Sequence, residues 1–124
     1  MKYFVRPRKL QHRDRLRLQD IRTAIEKIER FTNDQPDWVN DRGGLVWDAV
    51  LYNFAVIGEA TKALSEETRN LAPDAEWSPA AKMRDFVIHQ YSATDPLIVA
   101  GTVETDLPTL KAVVIDLLAR LKAP

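Results

Sequence analysis

The 124-residue chain has no cysteine. Disulfides and thiolate–metal sites are therefore excluded, which suits a reducing compartment. No apolar run approaches the ~18 residues a membrane span needs, and the N-terminus lacks a signal-peptide pattern. A cytoplasmic location with no membrane partner is the expectation. Glycine is scarce, at four residues, and no stretch alternates polar and apolar side chains as a half-buried strand would. There is no internal repeat and no low-complexity tract. Histidine occurs twice, as His12 and His89, and His12 sits among N-terminal basic residues as an ordinary surface side chain.

The length suits one domain, residues 1–124, able to close a single core. Net charge is zero, from 18 basic and 18 acidic residues, but unevenly spread. Residues 1–17 carry Lys2, Arg6, Arg8, Lys9, Arg13, Arg15 and Arg17 against Asp14 alone. Such a segment either attracts a polyanion or acidic partner or is a solvated helix face; residues 1–8 are expected to be a flexible basic lead-in.

Helical periodicity dominates the rest of the chain. Leu18, Ile21, Ile25 and Ile28 predict a first amphipathic helix over about 9–31. "TNDQPDW" ends it, with Pro36 suited to a short helical turn, and "DRGG" breaks the chain. A second helix is expected over roughly 44–67 and is apolar nearly all round, through Val46, Trp47, Val50, Leu51, Phe54, Ala55, Ile57, Ala60 and Leu64. A helix of that kind is buried on two sides, and in so small a chain a second subunit is the expected cover. Gly58 inside it costs helix propensity and marks a close-packing point. Ser78 as N-cap and Pro79 at the first helical position predict a third helix, stopping near His89–Tyr91. Asp95 and Pro96 repeat that signal. Val103, Leu107, Leu110, Val114, Leu117 and Leu121 form a last stripe, in which Pro108 should kink or restart the helix with Asp106 as its cap. The fold class expected is all-α: an up-and-down four-helix bundle with a kinked C-terminal helix.

The third helix carries "MRDFVIHQY", residues 83–91. Imidazole suits proton transfer near neutral pH, and guanidinium forks onto two phosphate oxygens, so Arg84 and His89 make a candidate phosphodiester site. Asp85 and His89 are four apart, so the carboxylate can orient the ring. Arg84 and His89 are five apart, about 140° around an ideal helix, so they diverge unless the helix loosens, the arginine wraps back, or a partner subunit completes the site. Plainer roles fit the same residues: His89 as a helix-end cap, Arg84 paired with Asp85 or Glu59, Tyr91 as a buried aromatic. Trp38, Trp47 and Trp77 read as packing anchors.

"RDFVIHQY" resembles the Arg-x4-His-x-Tyr motif of HEPN ribonucleases, in their HepT-like toxin branch. "NFAVIGEATKALS" at 53–65 resembles that branch's second-helix signature, with Asn53 and Glu59 inside it. Trp77, "MRD" at 83–85 and "DLPTL" at 106–110 follow in the family's order, so the resemblance spans roughly residues 15–121. It implies a homodimeric, metal-independent RNase with no cofactor, in which His89 is the general acid or base and Arg84 holds the phosphate. Asp85, Tyr91, Glu59 and Asn53 would support them. It also implies a minimal nucleotidyltransferase antitoxin as partner, which adenylylates Tyr91. Two positions depart from the pattern: Asp85 stands where asparagine is frequent, and Ser92 where an aromatic is common. A carboxylate at 85 both orients His89 and repels a phosphate. Two alternatives stay open from the residues alone: a catalytically silent accessory subunit of a nucleotidyltransferase complex, or a nucleotide-binding helical dimer.

Overall fold

A computed structural model describes residues 8–85 and 95–121. Every regular element among them is helical: α1 (Arg8–Asp34), α2 (Leu45–Ala63), α3 (Glu66–Asn70), α4 (Trp77–Ala81), α5 (Pro96–Gly101) and α6 (Leu107–Arg120). The all-α bundle expected from periodicity is what forms. No described helix is long and apolar enough to cross a membrane.

The core follows the stripes. Leu18, Ile21, Ile25 and Ile28 of α1 are fully buried against Val50, Phe54 and Ile57 of α2 and against Leu107, Val114 and Leu117 of α6. Polar contacts fix the directions. Asp14, near the start of α1, accepts from the backbone N–H of Ser65 at 3.0 Å and from its hydroxyl at 2.6 Å, just past the end of α2. The same carboxylate accepts from the Thr68 hydroxyl. Arg15 donates to the carbonyls of Leu118 and Leu121 at the end of α6, satisfying acceptors that a helix terminus leaves over. Lys111, early in α6, reaches Glu29 late in α1 at 2.9 Å. Both α2 and α6 thus run antiparallel to α1.

The breaks have local causes. Gly43 takes φ +83°, a left-handed turn that suits glycine, and α2 starts two residues later. α2 ends at Ala63, four residues short of the expected limit, because Leu64 turns extended (ψ 142°). The cause is tertiary: Asp14 claims Ser65, whose hydroxyl also accepts from the Thr68 N–H and so caps α3. α4 begins at Trp77 rather than after Ser78, with Glu76 as the capping position. The Trp77 indole donates to the carbonyls of Arg69 and Ala72, both at 3.1 Å, and this anchor starts the helix two residues early. Pro79 then sits in the first turn, where a missing N–H costs nothing. Asp95 does cap as expected, accepting from the Leu97 N–H at 2.9 Å.

The C-terminal helix restarts at Pro108, as expected: an α-helical stretch begins at Leu107 with the proline in its first turn. Residues Thr102–Asp106 widen into a π turn, in which the Leu107 N–H donates to the Thr102 carbonyl five residues back. Asp106 makes no side-chain cap. The wide turn gives the proline ring room in a helix that continues to Arg120.

Candidate functional site

The site can be built from α2 outward. Gly58 is buried on the side of α2 that faces the end of α4 and the single 3₁₀ turn Lys82–Arg84 that follows it. A Cβ on Gly58 would lie 2.7 Å from the Arg84 backbone nitrogen, 2.8 Å from the Arg84 Cβ and 3.0 Å from the Ala81 carbonyl oxygen. The close-packing role read from the sequence is therefore real, and its partner is Arg84 itself. Met83, beside it, is buried in the core and anchors the turn.

The Arg84 side chain leaves this seat for the surface. Its Nε lies 2.9 Å from Glu59 Oε1 in an ion pair, with side chains 41% and 59% exposed respectively. Glu59, and not Asp85, is the ion-pair partner of Arg84 among the described residues. Asp85 follows on the same turn, half-buried. Asn53 is buried and its amide donates to the Ala49 carbonyl one turn back, at 2.8 Å. His89 and Tyr91, with the end of the expected third helix, lie outside the described residues. The structure thus brings together Arg84 and Glu59, with Asp85 next to Arg84 in the chain, while Asn53 is bonded within its own helix.

Beside Glu59 runs a shallow groove of about 480 Å³ along α1 and α2, lined by Arg17, Asp20, Tyr52, Ala55, Val56 and Ala63 among others. Tyr52 is 67% exposed and Leu45, two turns away on the same face of α2, is 89% exposed. Among the described residues, Leu45 and Tyr52 therefore form an exposed apolar strip on α2. Of the N-terminal basic residues, Arg15 serves as the α6 cap, Arg17 enters the groove, and His12 is exposed. No group of three or more metal-binding side chains gathers among the described residues.

Comparison with known proteins decides what this geometry belongs to. The family model for "Ribonuclease HepT-like" matches residues 21–117. The chain belongs to the HepT-like ribonuclease family. A protein of Thermococcus cleftensis named "Probable ribonuclease HepT" is 37% identical over 105 residues, covering 83% of this chain and 92% of the relative. "Putative RNase MJ0125" of Methanocaldococcus jannaschii is 33% identical over 96 residues, covering 76% of this chain and 81% of that protein. The same organism's "Gamma-glutamylcyclotransferase and putative RNase MJ0434" is 32% identical over 104 residues, which are 84% of this chain but 47% of that longer protein. No solved structure matches the chain with significance. This HepT-like chain carries the Arg-x4-His-x-Tyr motif at Arg84, His89 and Tyr91, inside the matched span.

Proposed function

We propose that this HepT-like chain is an endoribonuclease, the toxin of a toxin–antitoxin pair, and that it cleaves RNA without a metal ion or cofactor. Family membership across residues 21–117 is the observation that carries the reading. The chemistry follows from the motif. A ribose 2′-hydroxyl attacks the adjacent phosphorus, forming a cyclic phosphate and breaking the bond to the 5′-oxygen. His89 moves the protons: off the attacking hydroxyl as base, or onto the departing oxygen as acid. Arg84 holds the phosphate and stabilises the charge that builds on it in the transition state. The proposed domain is the whole of residues 1–124.

A homodimer fits the reading, because α2 exposes Leu45 and Tyr52 on one face and the five-residue Arg84–His89 spacing is easily completed across a subunit boundary. The partner that silences the enzyme is a minimal nucleotidyltransferase that transfers AMP to Tyr91. A nucleotide two residues from His89 adds bulk and negative charge, which repels RNA phosphate. Arg84 meets the RNA backbone by charge, so activity should fall as salt rises.

The test is cleavage of single-stranded RNA in EDTA by the parent, His89→Ala and Arg84→Ala, each confirmed folded. The parent should cut, both variants should lose activity, and an oligonucleotide with 2′-O-methyl groups should resist. Equal cleavage by all three proteins would sink the assignment. The two carboxylates beside Arg84, Glu59 and Asp85, favour a second reading, a silent accessory subunit. It is the one supported if the parent, shown by mass spectrometry to carry no AMP, cuts nothing.

A further inference from the structure

Arg84 is held by two consecutive residues of α2, each by different means. Gly58 accepts the arginine's backbone at a distance no side chain permits, and Glu59 takes its Nε. We infer that Gly58 and Glu59 are positioning residues for Arg84, selecting which edge of its guanidinium meets the scissile phosphate. The inference rests on the reading of Arg84 as the phosphate-binding residue.

A guanidinium offers a phosphate two forked edges: one made by Nε with one Nη, the other by the two Nη groups. The Glu59 carboxylate oxygen stands 2.9 Å from Nε, which keeps a second anion from the first. Among the described residues no acceptor engages the Nη groups, so the terminal edge is the one presented. Gly58 sets where that fork stands. The atoms a Cβ would strike are the Arg84 nitrogen and Cβ and the Ala81 carbonyl; none is the free end of a side chain that can swing aside. Any larger residue at 58 must move the turn that carries Arg84.

Positioning and charge act in opposite directions here, which makes the idea separable from a simple surface ion pair. A carboxylate beside the phosphate site weakens substrate attraction, modestly, because water screens an exposed charge. Fixing the guanidinium raises the rate, because misplacement by about 1 Å can cost roughly 100-fold. Loss of Glu59 should therefore lower kcat while KM stays level or falls. At Gly58 the clash with the Arg84 and Ala81 backbone outweighs the helix propensity of alanine, so Gly58→Ala should lower both stability and rate.

The experiment measures kcat and KM in EDTA on a mixed-sequence single-stranded RNA bearing a fluorophore and a quencher, using the full chain. The variants are Arg84→Ala, Glu59→Ala, Glu59→Gln and Gly58→Ala, with thermal melting of each. Glu59→Ala should lose about 10- to 100-fold in kcat without a rise in KM. Glu59→Gln keeps an oxygen of the same reach beside Nε and should recover most of that kcat. Gly58→Ala should lose at least about 10-fold; if it fails to fold, the Glu59 pair decides alone. Parental rates in Glu59→Ala beside an inactive Arg84→Ala overturn the positioning role and leave the phosphate role standing. So does a Glu59→Gln protein as slow as Glu59→Ala, since charge rather than placement then matters. An Arg84→Ala protein as active as the parent overturns both.

Discussion

Two carboxylates act at the C-terminal end of α2, and they do so in opposite surroundings. Asp14 is 1% exposed and satisfied by the Ser65 N–H and by the hydroxyls of Ser65 and Thr68. Glu59 stands 59% exposed and engages Arg84. The buried group cannot lose a partner without stranding donors away from water, so its contribution is to stability. The exposed one gives up little in solvation whether bonded or not, so its contribution is to orientation. Similar bond lengths at the two sites therefore carry different meanings, and burial decides between them.

That contrast can be broken most directly at Asp14. Asp14→Ala strands the Ser65 and Thr68 donors and is expected to cost about 3 kcal/mol in urea unfolding; a loss below about 1 kcal/mol would mean that water replaces the carboxylate and that burial is not the deciding variable. An intermediate effect of opposite sign is expected within α2. The Thr61 hydroxyl is fully buried and has no hydrogen-bond partner among the described residues. Thr61→Val should gain roughly 1 kcal/mol, and unchanged or lower stability in the same titration argues that the hydroxyl is satisfied. The smallest effect belongs to Glu59. Glu59→Gln should shift unfolding by less than about 1 kcal/mol, and a larger shift makes the exposed pair structural after all.

Much of this architecture is legible from periodicity. The stripes of α1 and α6 are the observed core, and Asp95 caps as its position before Pro96 suggests. Gly58 is readable as a close approach, since a glycine inside an apolar helix needs a reason, but nothing local to it names Arg84 as the neighbour. The misplaced boundaries share a cause. Leu64 leaves the helix because Asp14, distant in sequence, holds Ser65; α4 starts before Ser78 because the Trp77 indole is tied to the preceding loop. Both are tertiary contacts that outrank local propensity. At the candidate site, Glu59 is one of two partners the sequence allows Arg84, and the fold chooses the one across the helix seam over the one next door.

The π turn of the C-terminal helix has a consequence for phase. Thr102 and Leu107 are both buried, yet five residues apart. At the α-helical advance of about 100° per residue they would point some 140° away from each other; the slower winding of Thr102–Asp106 brings them back to one side. A spacing of five is thus a demand for either an unwound turn or a second molecule. Arg84 and His89 make the same demand. Among the described residues the chain meets it within its own helix, at a proline, where the extra residue adds to packing rather than to chemistry.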